Sequence, residues 1–456
     1  MAGLFLFTLF KSINMKKRST YLLLFVCFLS LTAFVVIKYN VNVLSKTTAY
    51  YPLLERKGQL AQLPEWPATK EKAAKLISVV RDQPQDVRSR LSLATVYIQE
   101  GRITGKYDYY NEAAMTYINE ALLLEPKNFE GLLLKAVLEL SQHHFDEALQ
   151  TAAAAEKISA YNAFLNGIMV DAYVEKGDYI KAVERSDRMI SIRPDIRSYS
   201  RVSYLREIHG DYTGAIEAMI MAVESGTYGD EATAWARTQL AQLYEKTGDL
   251  ERAEMHYTIV LDERPGFAYA LAGLGNIAAA NDDYVKAISL YQQADAAVND
   301  YALKERLAEL YLHTGQKQQA ATAINAIIKD LTAASNAGEG ELNHHADKEL
   351  AYVYLLQGNH NKAVQHALAE YRRRPGNIEV NEALAWAYYK KGDTNNAITH
   401  IEKALKTNCK NPTLLSRAAL IYSRAGNAKA KTLATEAIRT NANIDPSLKK
   451  EIQKLI

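Results

Sequence analysis

The sequence has little cysteine and no excess of charge of either sign. Only two cysteines occur in 456 residues, Cys27 and Cys409, which excludes a disulfide framework and a zinc site built from cysteine pairs. Lysine and arginine total 54 against 52 aspartates and glutamates, so the net charge is +2. Nucleic-acid-binding proteins usually carry a clear basic excess. The charge balance therefore argues against a nucleic-acid partner.

The short motifs of common catalytic sites are also missing. The sequence contains no G-x-S-x-G, no phosphate-binding loop ending in GKS or GKT, and no HExxH. The stretch GLGNIA at residues 273–278 has the glycine spacing of a dinucleotide fingerprint, but that fingerprint needs a preceding strand. Here a small residue on a helix serves packing. We therefore predict a protein that is not an enzyme, with no catalytic residue and no cofactor.

Histidine occurs in two adjacent pairs, at residues 143–144 and 344–345. Adjacent residues on a helix point about 100° apart, so one pair rarely supplies two ligands to one metal ion. The sequence therefore predicts no metal site. A metal-dependent hydrolase that uses these histidines is the least favoured alternative function.

One long uncharged run is present, at residues 19–37, directly after Lys16, Lys17 and Arg18. A helix of 19 residues spans nearly 30 Å, about one hydrocarbon core. Basic residues on the N-terminal side predict that residues 1–18 stay in the cytoplasm and that the rest is exported. We predict an uncleaved transmembrane signal anchor in a single-pass membrane protein. A cleaved signal peptide is the alternative, and translation could begin at Met1 or Met15.

One pattern recurs along the rest of the chain at a spacing near 34 residues. Each copy has a turn residue, usually glycine, and often a tyrosine four positions earlier, and all copies but the last have a small residue five positions later. A fixed period near 34 is typical of a solenoid of helix–turn–helix units, in which the small residue lets two helices approach closely. The turn positions are His143, Gly177, Gly210, Gly248, Asp282, Gly315, Gly358, Gly392 and Gly426.

The copy at residues 238–265 resembles the tetratricopeptide repeat family, whose pattern is W-x2-L-G-x2-Y, then A-x3-F, then P. The resemblance implies an all-α solenoid wound as a right-handed superhelix. The uncharged run places one transmembrane helix before it. The matching residues are Leu240, Ala241, Tyr244, Gly248, Ala253, Tyr257 and Pro265. The predicted segments are a cytoplasmic segment at 1–18, the anchor at 19–37, a linker at 38–67, about ten repeats (the first partial) at 68–445, and a capping helix at 446–456.

In this family the first helix of each repeat lines a concave groove, and certain positions on it contact peptide ligands. Aligned positions in this sequence mix aromatic and polar side chains, which suits an extended peptide. The hypothesised groove residues are Asp171, Arg201, Tyr204, Trp235, Gln242, Tyr269, Asn276, Glu309, Tyr352 and Trp386.

The predicted function is therefore a non-catalytic scaffold of the cell envelope that binds a protein or peptide in this groove. The alternative from another class is an extracytoplasmic component that binds a glycan or other polymer, with Trp235 and Trp386 as stacking platforms.

Overall fold

The computed structural model describes residues 25–26, 28–32, 34, 50–336, 344–441 and 443–456. From residue 50 onward these residues form α-helices joined by short turns, with one 3-10 helix at Gly58–Gln62 and no strand. The all-α class predicted from the sequence is confirmed. In chain order the α-helices are α1 (Trp66–Asp82), α2 (Val87–Thr104), α3 (Tyr107–Leu124), α4 (Phe129–Ser141), α5 (Phe145–Glu156), α6 (Ala163–Lys176), α7 (Tyr179–Ile192), α8 (Ile196–Ile208), α9 (Tyr212–Glu224), α10 (Glu231–Lys246), α11 (Leu250–Glu263), α12 (Ala268–Ala280), α13 (Tyr284–Ala297), α14 (Tyr301–His313), α15 (Lys317–Asn336), α16 (Asp347–Leu356), α17 (His360–Arg373), α18 (Ile378–Lys391), α19 (Thr394–Ala404), α20 (Pro412–Arg424), α21 (Lys429–Thr440) and α22 (Pro446–Gln453).

The predicted membrane anchor lies mostly outside the described residues, as do residues 1–18 and 38–49. Within the anchor, residues 25–26, 28–32 and 34 are described, and they are helical and exposed. No helix formed by the described part of the chain is both long enough and apolar enough to cross a membrane.

Helices α2 to α21 form ten consecutive pairs, and each helix packs most extensively against its partner in the pair. The turn at Gly177 shows how a pair is made. Gly177 has a φ of 76°, in the left-handed region that glycine adopts without strain, and it ends α6. The carboxylate of Asp178 then accepts a hydrogen bond from the backbone N–H of Lys181 and begins α7.

The small residue five positions after each turn residue is fully buried, at 0% exposure in all eight copies that carry it. A larger side chain would hold the two helices of the pair apart, so the sequence-based explanation of this position is confirmed. The eight alanines are Ala148, Ala182, Ala215, Ala253, Ala287, Ala320, Ala363 and Ala397.

The array winds back onto itself after about six pairs. Hydrogen bonds and ion pairs join residues that are 199, 202, 199 and 196 positions apart, close to the length of six repeats, about 204 residues. One superhelical turn therefore rests on the next along a continuous contact, which we call the seam. The joined residues are Glu65 with Arg264, His143 with His345, Glu175 with Arg374, and Glu245 with Asn441.

Both ends of the array are covered. Residues 50–65, although inside the predicted linker, pack against the first pair, where the buried Arg56 guanidinium donates to the Glu100 carboxylate. At the other end, Asp445 accepts hydrogen bonds from the backbone N–H groups of Ser447 and Leu448 and begins α22. Ile452 of α22 is fully buried, so this helix closes the core of the last pair.

Candidate binding surface

The first helices of distant pairs place polar side chains in contact with one another inside the superhelix. The Tyr204 hydroxyl on α8 donates to the Glu379 carboxylate on α18 at 3.2 Å. Glu379 also forms an ion pair with Lys348 on α16, with 3.1 Å between Nζ and Oε2. Three helices separated by up to 175 residues thus meet at one carboxylate. The winding of the superhelix brings these three groups together, although they are far apart in the sequence.

Lys348 controls the electrostatics at this point. Its charge lowers the pKa of Glu379 to about 2, and the Glu379 charge in turn raises the pKa of Lys348. The same carboxylate, together with burial, raises the pKa of Tyr204. At neutral pH the ion pair is therefore fully charged and the tyrosine is neutral, so Tyr204 is held as a hydrogen-bond donor.

A second polar group lies around Arg417 on α20. Its Nη1 atom donates to the Glu382 carboxylate at 2.8 Å and to the Tyr352 hydroxyl at 3.2 Å. The guanidinium also lies over the rings of Tyr352 and Trp386, 5.3 Å from each centroid. One cation therefore ties together the last three pairs.

Trp386 does not belong to an exposed row of recognition residues. Its side chain is only 7% exposed, and its ring stacks on Tyr389 at 4.9 Å. Arg417 and Lys390 also lie over its ring. Trp386 is consequently part of the core, and it presents no open face on which a sugar ring could stack.

Asp171 and Arg201 bind each other across two neighbouring pairs. The Arg201 guanidinium makes two hydrogen bonds to the Asp171 carboxylate, at 2.9 and 2.6 Å. Such bidentate pairs have a fixed geometry. The charged donors of Arg201 and both carboxylate oxygens of Asp171 are already used in this pair. A ligand that contacts Asp171 or Arg201 would have to compete with this pair.

Polar groups from the middle of the array surround a cavity of about 450 Å³ next to the C-terminal end. Asn276 and Glu309, two of the predicted groove residues, line it. Asn276 accepts a hydrogen bond from the Tyr291 hydroxyl at 2.7 Å, and Glu309 pairs with Arg306 at 2.8 Å. The remaining polar residues of the lining are Glu245, Lys246, Tyr284, His313, Asn411, Thr413, Asn441, Asn443 and Asp445.

Carboxyl groups in the interior are partly kept in the neutral form. Burial raises the pKa of Glu245, and burial together with the neighbouring Glu309 raises the pKa of Glu305 to about 8. A neutral carboxyl group can donate a hydrogen bond as well as accept one. At neutral pH Glu305 is therefore largely protonated and can do both.

The remaining predicted groove residues lie on α10 and α12. Trp235 is 37% exposed and Gln242 is half-buried, both on α10. The Tyr269 hydroxyl on α12 donates to Asp300 of the next pair at 2.8 Å and lines a small pocket at the seam. Tyr269 is therefore already bound within the array.

Sequence reasoning missed many charged residues of the interior. Five of them lie three or four positions along the same helix from a predicted groove residue, as Glu175 follows Asp171 and Arg306 precedes Glu309. Residues at this spacing share one helical face, so a search for polar residues at i+3 and i+4 would have found these five. Glu379 is seven positions from Trp386, and Arg417 lies on α20, which carries no predicted groove residue. The missed residues are Glu175, Glu245, Lys246, Arg306, Glu379, Glu382 and Arg417.

Each histidine pair, taken alone, predicts no metal site. The structure brings the two pairs together at the seam, where ligand atoms of His143, His344 and Glu349 all lie within 4.8 Å of one another. Burial lowers the pKa of His344 to about 4 and also lowers the pKa of His143. Both imidazoles are thus neutral at pH 7.

Comparison with known proteins adds family matches and structural neighbours. No curated protein shows significant sequence similarity to the chain. A tetratricopeptide repeat protein from Parabacteroides merdae is similar in structure, with 17% identity over 57% of this chain and 98% of its own and a TM-score of 0.34. A chain of the APC/C hetero-tetramer Cut9–Hcn1 is 13% identical over 86% of this chain and 93% of its own, with a TM-score of 0.37. A thermophilic tetratricopeptide repeat protein from Thermus thermophilus is 20% identical over 39% of this chain and 92% of its own, with a TM-score of 0.35.

Two stretches of the sequence match tetratricopeptide repeat family models, at residues 238–302 and 378–408. The first stretch covers α10 from its middle to the start of α14, and the second covers α18 and α19. Both matches coincide with helix pairs that carry the buried alanine and the left-handed turn. The chain therefore contains tetratricopeptide repeats, and the resemblance to that family seen in the sequence is confirmed.

Proposed function

We propose that the chain is a non-catalytic scaffold that binds a polar segment of a partner protein in the cavity beside α10, α12 and α14. The observation that carries the proposal is the cavity itself. It measures about 450 Å³, within the range of about 300–1,000 Å³ typical of ligand sites. Its walls come from the inner face of the repeats, the face from which solenoids bind their ligands.

The lining favours a peptide backbone as the ligand. Four asparagines contribute to it: Asn276, Asn411, Asn441 and Asn443. A carboxamide offers one acceptor and two donors, which can pair with the C=O and N–H groups of an extended chain. The oxygens of Asn276, Asn411 and Asn441 already accept hydrogen bonds within the chain, so it is mainly their N–H groups that would bind the C=O groups of a partner. The cations of the lining, Lys246 and Arg306, already pair with Glu207 and Glu309, so the net field in the cavity is modest.

Attachment to a membrane through residues 19–37, with the array outside the cytoplasm, is part of the proposal. Its support is the uncharged run that follows Lys16, Lys17 and Arg18. A reporter enzyme that works only outside the cytoplasm, fused after Ile456, should be active. Activity of a reporter that works only in the cytoplasm, fused at the same place, would reverse the proposed orientation.

Photo-crosslinking tests the position of the binding site. A crosslinking amino acid at Asn443, an exposed residue of the cavity lining, should capture a partner from solubilised membranes. The same amino acid at Val285, which is 84% exposed on the second helix of its pair, is the control and should capture little. Equal capture at both positions, or capture at Val285 alone, would contradict the cavity as the site.

Two substitutions test the residues that would contact the partner. Asn276→Ala combined with Glu309→Ala should reduce capture at least tenfold, because truncating central contact residues typically weakens binding by more than about 1 kcal/mol each. Asn395→Ala, an exposed asparagine of α19 outside the cavity, is the matched control and should leave capture unchanged. Full capture by the double variant would rule out these two side chains.

A further inference from the structure

Four histidines from two distant segments of the chain meet at the seam. His143 and His144 form the turn between α4 and α5, and His344 and His345 precede α16. The rings of His143 and His344 lie 4.5 Å apart between centroids, and those of His144 and His345 lie 4.2 Å apart. The second helix pair of the array is thereby joined to the eighth.

Backbone groups fix the orientation of the His143 ring. The Nδ1 atom of His143 lies 2.9 Å from the carbonyl oxygen of His345, and the backbone N–H of His345 donates to the carbonyl oxygen of Gln142 at 3.2 Å. A carbonyl oxygen only accepts, so Nδ1 of His143 carries the ring proton and Nε2 keeps its lone pair. Histidines that ligate a metal through Nε2 are commonly oriented in this way.

His143 reaches this position through an unusual turn. Its φ is 65°, in the left-handed region where most other copies of the repeat have glycine. A side chain other than glycine is disfavoured there. Glycine would adopt this backbone conformation with less strain, but it would offer no metal ligand. Histidine at this position accepts the strain and supplies an imidazole.

Glu349 adds an oxygen ligand beside the two imidazoles. It lies in the first turn of α16, and its Oε2 atom is buried without a hydrogen-bond partner among the residues that the structure describes. Burying a carboxylate oxygen without a partner is unfavourable. A cation between Glu349 and the two histidines would remove that penalty.

We propose that His143, His344 and Glu349 bind one divalent transition-metal ion of the zinc class. Two imidazole nitrogens and one carboxylate oxygen are a ligand set that zinc takes, with a fourth position left for water. In a tetrahedral zinc site with metal–ligand distances of about 2.0–2.1 Å, two ligand atoms lie about 3.3–3.4 Å apart. The ligand atoms of the three side chains, which lie within 4.8 Å of one another, would therefore have to move closer by up to about 1.5 Å when the ion binds.

The two cations nearest to the site have anionic partners of their own. Lys348 pairs with Glu379 at 3.1 Å, and Arg374 pairs with Glu370 and Glu175. Their repulsion of a metal ion is therefore reduced. The ion would link segments about 200 residues apart and would hold one turn of the superhelix against the next.

Zinc titration of the full chain, after removal of metals with a chelator, tests the proposal. One Zn²⁺ per chain should bind and should raise the midpoint of thermal unfolding, because an ion that binds only the folded state stabilises it. His143→Ala with His344→Ala should weaken Zn²⁺ binding at least about 100-fold, since even the loss of a supporting group costs about 10–100-fold. His360→Ala, a histidine outside the cluster, is the control and should bind like the original chain.

Cobalt gives a readout that does not depend on stability. Co²⁺ bound to the original chain should show the visible absorption of a site with low coordination number, and Glu349→Gln should weaken or shift it while the circular dichroism is unchanged. Zinc binding that is equal in the double variant and the original chain would overturn the proposal. So would the absence of stoichiometric binding in the original chain.

Discussion

The turn glycines of the first and second superhelical turns have the same local geometry but different surroundings. Gly177 and Gly392 have φ values of 76° and 92°, and both end the first helix of a pair. A Cβ atom on Gly177 would lie 2.0 Å from the carbonyl carbon of Gly376 across the seam. A Cβ atom on Gly392 would meet nothing within 4 Å.

The same glycine pattern in the sequence therefore covers two different structural situations, a local turn between two helices and a contact across the seam. The recurring glycine is explained everywhere by the left-handed turn between two helices. Only in the first superhelical turn does the glycine also lie in close contact with residues of the next superhelical turn. Gly210, whose Cβ would lie 2.5 Å from the Asn408 carbonyl oxygen, belongs to the seam, while Gly358 and Gly426 do not.

Alanine at the two glycines should give the largest contrast. Gly392→Ala should lower the free energy of unfolding by about 1–2 kcal/mol, the penalty of a left-handed residue with a side chain. Gly177→Ala carries the same penalty and also overpacks the seam, which adds about 1–3 kcal/mol. Urea denaturation should show this order.

Hydrogen exchange should show which part of the fold Gly177→Ala destabilises. The backbone N–H of Ile378 donates to the Tyr179 hydroxyl across the seam at 2.9 Å, so its exchange should accelerate in Gly177→Ala but not in Gly392→Ala. Equal losses of stability and unchanged exchange at Ile378 would mean that the two turns do not touch in solution.

Overpacking between the two helices of a pair should lower stability equally in the first and second superhelical turns. Ala253 in the first turn and Ala397 in the second are both 0% exposed. Ala253→Leu and Ala397→Leu should each cost about 1–3 kcal/mol, because the contact involved is local to the pair. Hydrogen exchange should rise mainly in the affected pair and its neighbours. Loosening of the whole array by either substitution would contradict this.

A pH-dependent effect is expected in the enclosed interior. The pKa of Glu305 is raised to about 8 from an ordinary 4.5, so folding favours its protonated form. Its contribution to stability is full at low pH and is lost as the pH rises from about 4.5 to 8. Glu305→Gln cannot lose this contribution, so between pH 5 and pH 8 its thermal midpoint should fall less than that of the original chain, by a few °C.

Glu184→Gln, on the exposed face of α7, is the control for that experiment. Its thermal midpoint should fall as much as that of the original chain over the same pH interval. Glu379 does not interfere, because its lowered pKa makes its contribution change only below about pH 4.5. A pH dependence that is the same in Glu305→Gln and in the original chain would show that the interior is open to water.

The local features of the fold could be predicted because they repeat at 34 residues. Alanine burial and the turn positions both follow from one pair of helices and its nearest neighbour. Each of them depends on interactions within about one repeat, and the sequence displays that interval directly.

The seam and the interior could not be predicted in the same way. They depend on the small rotation from one pair to the next, added up over about six pairs, and this sum decides which residues 200 positions apart come into contact. The burial of Trp386 against Tyr389, the pairing of Tyr204 with Glu379 and the meeting of His143 with His344 all result from it.

The contact between successive turns is the central claim, and a crosslink tests it most directly. Glu175 and Arg374 form an ion pair across the seam, 199 residues apart. With Cys27→Ser and Cys409→Ser as background, Glu175→Cys and Arg374→Cys should be joined rapidly within one chain by a short bifunctional thiol reagent. A pair at Glu175→Cys and Lys391→Cys, which the structure does not bring into contact, is the control. Efficient crosslinking of the first pair alone is the predicted result, and its failure in the folded chain would contradict a superhelix that closes on itself.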